Sequence, residues 1–133
     1  MPNGFQGSVD EWRRMEAPYI LIDPILTAFA TQHALELHKN YRDADRSLRW
    51  HDEVSRSIWI GSMEKYGATG TYHVSITAHD DRGSQRYVKH GIVADGVGID
   101  DLDHTLERAR RILASWSEID LHLARGREEP EKL

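Results

Sequence analysis

The stretch that decides the fold is TYHVSITAH, residues 71–79. Three apolar residues, Val74, Ile76 and Ala78, alternate in it with polar residues. A period of two residues indicates a β-strand that buries one face, because successive side chains of a strand point to opposite sides of the sheet. The polar residues of this stretch are therefore predicted to share the other face of the sheet.

Two runs with a similar period flank this strand, Ser55–Met63 before it and Gln85–Ala94 after it. A glycine-rich loop through Gly67 and Gly70 makes the first connection. The second connection, Asp81–Gly83, suits a three-residue hairpin with glycine in the left-handed conformation. The sequence therefore predicts an antiparallel sheet of three strands, or of four.

The C-terminal third predicts one long helix, Asp101–Leu123, with Asp100 as its N-cap. Its apolar residues recur at spacings of three and four and form one broad face. They are Leu102, Leu106, Ala109, Ile112, Leu113, Trp116, Ile119 and Leu123. This face predicts that the helix packs on the sheet along its whole length.

Two helices are predicted in the N-terminal third. A capping box at Ser8 predicts a short helix over Val9–Ala17, which Pro18 ends. The apolar run Tyr19–Ile22 suits either a strand or a buried connector. A second helix begins at Asp23, whose carboxylate caps the helix ahead of a proline in its first turn.

An apolar stripe extends this second helix through Lys39–Trp50. Its members recur at helical spacing and are Leu26, Ala30, His33, Leu37, Tyr41, Ala44 and Leu48. His33, within the stripe, is predicted to be a core histidine with a satisfied hydrogen bond.

These elements predict a single α+β domain over residues 1–133, with N-terminal helices, the antiparallel sheet and the long C-terminal helix packed on it. The two ends, residues 1–7 and 125–133, are predicted to be flexible tails. No stretch is apolar enough to span a membrane.

Composition excludes several kinds of chemistry. The chain has no cysteine, which excludes disulfides, thiolate zinc sites and cysteine nucleophiles and fits a cytoplasmic location. Its formal net charge of −5 makes nucleic-acid binding an unfavourable interpretation, because a phosphate backbone repels an acidic protein.

Four cations of the predicted second helix share one stripe, nearly opposite the apolar one: Lys39, Arg42, Arg46 and Arg49. Arginine binds carboxylates through two parallel hydrogen bonds, so this basic edge favours an acidic partner, with a plain solvent-facing helix as the alternative. Replacing its three arginines by alanine is expected to weaken partner binding and to leave the melting temperature nearly unchanged. Asp43 and Asp45 would point about 160° apart on a helix, so no metal site is predicted there.

A three-residue hairpin would gather aromatic, hydroxyl and cationic groups on one face of the sheet: Trp59, His73, Ser75, Thr77, Tyr87 and Lys89. This mixture is typical of a recognition surface or of a shallow ligand site. A solvated face with aromatic packing between strands is the alternative. His73 and Ser75 have no orienting acid and no glycine-flanked serine motif, so we predict no catalytic residue and no cofactor.

The sequence thus favours a non-catalytic cytosolic binding module for a protein partner. The order of helix, strands and helix in a small acidic protein resembles, at the level of fold, bacterial secretion chaperones and toxin-immunity proteins. The open edges of a three-stranded sheet also favour a homodimer. The alternative function is a small-ligand-binding domain or a small hydrolase that uses the histidine-bearing face of the sheet.

Overall fold

The structure, a computed structural model, describes residues 7–63, 70–124 and 130–133. The described chain contains these elements in order: α1 Val9–His33, β1 Glu36–Lys39, β2 Arg46–His51, β3 Ser55–Ser62, β4 Thr71–Asp80, β5 Tyr87–Gly98, α2 Ile99–Ser115, α3 Glu118–Leu123 and β6 Glu131–Lys132. The strands form one sheet in sequence order. Strands β1 to β5 pair antiparallel, and β6 runs parallel to β5. The α+β class is therefore confirmed, but the sheet is mixed and six-stranded, which is wider than predicted.

The three strands predicted from the period of two are β3, β4 and β5. In β4, buried and partly buried residues alternate over all 10 residues. Val74, Ile76 and Ala78 are almost completely buried, as the alternation predicts. Most of the connection between β3 and β4, including Gly67, lies outside the described residues.

The two helices predicted in the N-terminal third are replaced by one helix, α1, over Val9–His33. It begins at the predicted cap, where the Ser8 hydroxyl accepts the Glu11 N–H, and it then continues through Pro18 and Pro24. Each proline lacks the N–H of one helical hydrogen bond, which normally ends or kinks a helix. Burial outweighs these two losses, because Tyr19, Ile22, Leu26 and Phe29 form a continuous stripe in the core. Tyr19–Ile22 is therefore part of this helix, and the predicted strand or buried connector is wrong.

The segment Lys39–Trp50 is a β-hairpin, so the predicted extension of the helix is wrong. Helix α1 ends at His33, and its C-cap residue Ala34 adopts the left-handed conformation at φ 55°. Strands β1 and β2 then pair with Leu37 opposite Leu48. Both leucines belong to the predicted apolar stripe. Over a short segment the same spacing of apolar residues fits a helix or a strand, so the stripe did not distinguish the two.

The turn of this hairpin is held by its own polar groups. The Asn40 N–H donates to the Asp45 carbonyl at 3.0 Å, and the Ala44 N–H donates to the Asn40 carbonyl at 3.0 Å. Ala44 is left-handed at φ 62°. Tyr41, which the helical interpretation placed in the core, is 59% exposed at the tip of the turn.

The predicted long C-terminal helix is broken at Trp116. Helix α2 ends at Ser115, and Ser117 caps α3 through a capping box with Asp120. The break rotates the last predicted core residues away from the sheet, so that Ile119 and Leu123 are 69% and 71% exposed. Ser117 and Asp120 are present in the sequence as a cap, but the apolar spacing continues past them and therefore favours one uninterrupted helix.

The core lies between one face of the sheet and the helices. Helix α2 packs on β3, β4 and β5, and α1 contacts β1, β2 and α2. The α2 residues in this layer are Leu102, Leu106, Ala109 and Leu113, all fully buried. Burying a leucine side chain stabilises the fold by about 1.5–3 kcal/mol, so these contacts hold α2 against the sheet.

Within the predicted C-terminal tail, Glu131 and Lys132 form β6, which pairs with β5. Residues 1–6 and 125–129 of the two predicted tails lie outside the described residues. Among the described residues, no helix has the length and apolar character needed to cross a membrane.

Candidate functional site

The candidate site is the face of the sheet opposite the helices, called the open face below. No described element packs on it. Strand pairing assigns to it Glu36, His38, Ser47, Arg49, His51, Ser55, Ser57, Trp59, His73, Ser75, Thr77, His79, Val88, His90 and Ile92. Most of these side chains are partly or fully exposed, in contrast to the apolar face, which α1 and α2 cover. The open face therefore combines rigid strands with polar and aromatic side chains that solvent reaches.

Trp59 is the largest side chain of the open face. Its indole ring lies across Gly61, where an added Cβ would overlap the ring. On the next strand the His73 ring meets it edge to face, with 5.6 Å between the ring centroids. His73 is held in turn by Asp95, which contacts its Nδ1. Glycine at position 61 and the oriented His73 thus keep the Trp59 ring flat on the sheet.

Two grooves lie beside Trp59, which lines both of them. The first, of about 460 Å³, is lined mainly by hydroxyl, imidazole and guanidinium groups, including Arg49, Ser57, Thr77 and His79. The second, of about 360 Å³, is lined by Gly61, Met63, His73 and Asp95 among others. An incoming group on either side would therefore contact the indole.

Arg49 differs from the other arginine in the first groove. Its Nε donates to the Ser47 hydroxyl at 3.1 Å, and within the described ranges it forms no ion pair. Arg86, by contrast, contacts Asp81 at 3.1 Å, and His79 contacts the same carboxylate at 3.2 Å. A guanidinium has five N–H donors, so Arg49 keeps most of its donors for an incoming acceptor.

The histidines of the open face do not form a catalytic triad. The His51 Nδ1 lies 2.7 Å from the Ser55 hydroxyl, and the His90 Nδ1 lies 3.1 Å from the Thr77 hydroxyl. In the described part of the chain neither histidine contacts a carboxylate. His73 has a carboxylate partner but no serine in hydrogen-bond contact there. Among the described residues, no histidine of the open face contacts both a hydroxyl group and a carboxylate, as the histidine of a catalytic triad does.

Tyr87 and Lys89 lie on the face covered by helices, so their predicted place on the open face is wrong. Tyr87 packs on His122 of α3 with 3.9 Å between the ring centroids, and the Lys89 Nζ lies 4.6 Å from the Trp116 ring centroid. The cause is the connection between β4 and β5, which spans residues 81–86 and not three residues. The pairing shifts by three residues, and an odd shift turns every side chain to the other face.

The predicted basic edge does not exist as one surface. Arg46 is 1% exposed and binds Asp23 of α1 with its Nε at 2.8 Å and a terminal nitrogen at 3.0 Å. The Lys39 Nζ lies 3.5 Å from the same carboxylate. Arg42 is exposed in the hairpin turn. Of the four cations, only Arg49 lies on the open face. Alternation along β2 turns Arg46 to the opposite face of the sheet.

The Arg46–Asp23 pair predicts an acid-sensitive part of the stability. Burial raises the pKa of Asp23, but the hydrogen bonds and charge of Arg46, with Lys39, outweigh burial and hold that pKa below its ordinary value of 3.8. Because the pKa of Asp23 is lower in the folded protein than in the unfolded chain, the ion pair stabilises the fold at pH values above the ordinary pKa. This stabilisation is lost as the pH falls through the pKa that Asp23 has in the folded protein. Urea unfolding of wild type and Arg46→Ala between pH 7 and pH 2 should therefore give a difference that shrinks with acid. A difference independent of pH would contradict this role.

A second cluster joins the β4–β5 connection to α3. One ligand atom from each of Asp80, Glu118 and His122 lies within 4.8 Å of the others. The guanidinium of Arg82 donates to Asp80 at 3.0 and 3.2 Å and contacts Glu118 at 3.0 Å. These hydrogen bonds hold the pKa of Asp80 well below its ordinary value. We interpret the cluster as an ion-pair network that anchors α3, because Arg82 already contacts both carboxylates that a cation would need.

No protein-family model, no curated protein and no solved structure matches this chain. The function is therefore inferred from the geometry and chemistry of the open face. Sequence reasoning placed Trp59, His73 and their hydroxyl neighbours correctly but did not bring His38, Ser47, Arg49 or Asp95 to this face. The period of two in RSLRWH, residues 46–51, is the signal that could have placed the residues of β2.

Proposed function

We propose that this protein is a non-catalytic binding module that recognises another protein through the open face. The observation that carries the proposal is Trp59, which lies flat on Gly61 in an uncovered sheet face beside an arginine that has no carboxylate partner within the described ranges. Tryptophan and arginine are the residues that most often dominate the affinity of protein interfaces. Serine and threonine hydroxyls around them supply adaptable hydrogen bonds.

The chemistry of the first groove favours a partner that presents a carboxylate. Arg49 offers several free donors, and Ser57 and Thr77 add hydroxyls close to it. Asp45 also lines this groove, which makes a long run of acidic residues unfavourable. A single aspartate or glutamate among neutral residues fits this distribution of charge best.

Replacing Trp59 by alanine should separate binding from folding. We expect the partner to lose at least about tenfold in affinity, because a hot-spot residue contributes about 2 kcal/mol or more. The partner is captured from a lysate of the native host, identified by mass spectrometry, purified and titrated calorimetrically against wild type and variant. Arg49→Ala is the second open-face variant.

The matched control is Ile119→Ala, which removes an exposed apolar side chain from α3, far from the open face in the fold. This variant should bind like wild type. Equal affinity of Trp59→Ala and wild type for the purified partner, at an unchanged melting temperature, would refute the proposed role of the open face. If Trp59→Ala unfolds the protein, the decision rests on Arg49→Ala.

A small-ligand-binding site is the second candidate. Both grooves beside Trp59 fall in the size range of ligand pockets, about 300–1,000 Å³. A small hydrolase is less well supported, because the described histidines lack the combination of serine and acid. Saturable binding of a small carboxylate that is lost in Arg49→Ala, without any protein partner, would favour this candidate.

The proposal includes a cytoplasmic location and the formation of a homodimer. The absence of cysteine supports the first of these. Two adjacent exposed apolar side chains of α1, Ile20 and Leu21, support the second. Sedimentation at increasing protein concentration tests for the dimer.

A further inference from the structure

The outer edge of β5 is occupied by a short segment of the same chain. Gly91 and Ile92 pair in parallel with Glu131 and Lys132, and the Leu133 N–H donates to the Ile92 carbonyl at 2.9 Å. This arrangement resembles the way in which domains take up an extended peptide as an additional strand. The segment therefore indicates what the edge of β5 is able to bind.

Two side-chain contacts give this edge its specificity. A Cβ at position 91 would lie 2.5 Å from Leu133 Cδ1 and 3.2 Å from the Trp116 ring, so the leucine occupies the space that the missing side chain leaves open. Beside this notch the Lys89 Nζ lies 4.6 Å from the Trp116 ring centroid and 4.0 Å from the Glu131 carboxylate. The edge thus accepts an acidic residue and, two positions later, a leucine.

We propose that the β5 edge is a second docking site, which binds an extended segment of another protein in parallel to β5. The segment carries an acidic residue next to Lys89 and a leucine, two positions later, in the notch formed by Gly91 and Trp116. In the free protein, residues 130–133 cover this site. The site is independent of the open face, because its contacts are with the edge and with the layer of helices.

A longer segment has an advantage over the one that now covers the edge. Strand β5 has 12 residues, and β6 pairs with only two of them, Gly91 and Ile92. Along the rest of β5 no other strand pairs with this edge within residues 7–63, 70–124 and 130–133. A segment that continues beyond these positions would add backbone hydrogen bonds that the two-residue β6 does not make.

The test uses full-length protein and a fluorescein-labelled peptide of sequence TVTVEKLTV, followed by fluorescence anisotropy. Leu133→Asp should release the covering segment, and because this segment competes intramolecularly, its release should strengthen peptide binding by about tenfold or more. Leu123→Asp, which places the same charge at an exposed leucine of α3, is the matched control and should bind like wild type. The peptide TVTVEKDTV should not bind.

Gly91→Val, added to Leu133→Asp, should abolish peptide binding because its side chain fills the notch. Lys89→Ala in the same background is a milder variant and should weaken binding severalfold. Circular dichroism and thermal melting establish that each variant is folded. If Gly91→Val does not fold, the peptide affinity of Lys89→Ala in the Leu133→Asp background tests the proposal instead.

Three outcomes would overturn the proposal. The first is no saturable binding to Leu133→Asp at millimolar peptide, and the second is equal binding by the variants of the notch. The third is a dimer of wild type that Leu133→Asp abolishes, since the covering segment would then be exchanged between two copies and the occupant would not be another protein. None of these outcomes bears on the open face, because Trp59 and Arg49 are unchanged in every variant.

Discussion

Replacing Arg46 by alanine is expected to lower the free energy of unfolding by about 3 kcal/mol or more. The guanidinium is almost completely buried, binds both oxygens of Asp23 and donates a further hydrogen bond to the Ala44 carbonyl at 2.7 Å. Alanine at this position leaves the Asp23 carboxylate without its main partner and opens a cavity beside the Tyr19 ring, which lies 5.4 Å from the guanidinium carbon. Urea unfolding followed by circular dichroism measures the loss.

Arg42→Ala is the matched control, because Arg42 lies in the same hairpin but is exposed. Its effect should stay within about 0.5 kcal/mol. Arg46→Lys should lie between wild type and alanine, since lysine keeps the charge but not the paired hydrogen bonds. The combined replacement of Arg42, Arg46 and Arg49 should therefore lower the melting temperature substantially, which corrects the expectation from the sequence. A loss below about 1 kcal/mol for Arg46→Ala would contradict the structural role of the pair.

Leu106→Ala is expected to cost about 2–5 kcal/mol of stability, because Leu106 is fully buried between α2 and the sheet. Leu123→Ala should cost less than about 0.5 kcal/mol, since this side chain is 71% exposed on α3. The two substitutions remove the same atoms, so their difference measures burial alone. Unfolding in urea at neutral pH provides both values.

This pair of substitutions also tests the break at Trp116. A continuous helix over Asp101–Leu123 would place both leucines on the buried face, and both substitutions would then be costly. Similar large losses for both variants would therefore contradict the capped start of α3 at Ser117.

The central strands could be predicted from the sequence because alternation over eight or more residues has no helical interpretation. Strand β4 alternates over its whole length, and β3 and β5 flank it at hairpin distance. Strands β1 and β2 could not be predicted in this way, because they have only 4 and 6 residues. Over such lengths an apolar spacing of three or four fits both a helix and a hairpin.

Local signals also failed where packing outweighed them. Pro18 and Pro24 are strong helix breakers, but the buried stripe of α1 continues on both sides of them. At Trp116 the opposite happened, because the capping box of Ser117 and Asp120 ended a helix whose apolar spacing continued. The first outcome does not follow from local propensity, since it depends on which surface the sheet presents to the helix, whereas the second follows from a local cap.

Whether residues of β5 were predicted on the correct face depended on the register of the β4–β5 hairpin. Trp59 and His73 were placed correctly because their faces follow from alternation within their own strands. Tyr87 and Lys89 were placed on the wrong face because their position depends on the length of the connection from β4. Residues 81–86 contain several turn formers, and the sequence does not say where the turn begins and ends.

Gly61 has a consequence for the strength with which the open face can bind. Because the Trp59 ring already lies flat on this glycine and against His73, it loses its rotational freedom when the chain folds. A side chain that becomes immobile only on binding weakens the complex by about 0.5–1.5 kcal/mol. A partner that stacks on Trp59 avoids this loss, so its affinity reflects the contact itself, and its dissociation should be correspondingly slow.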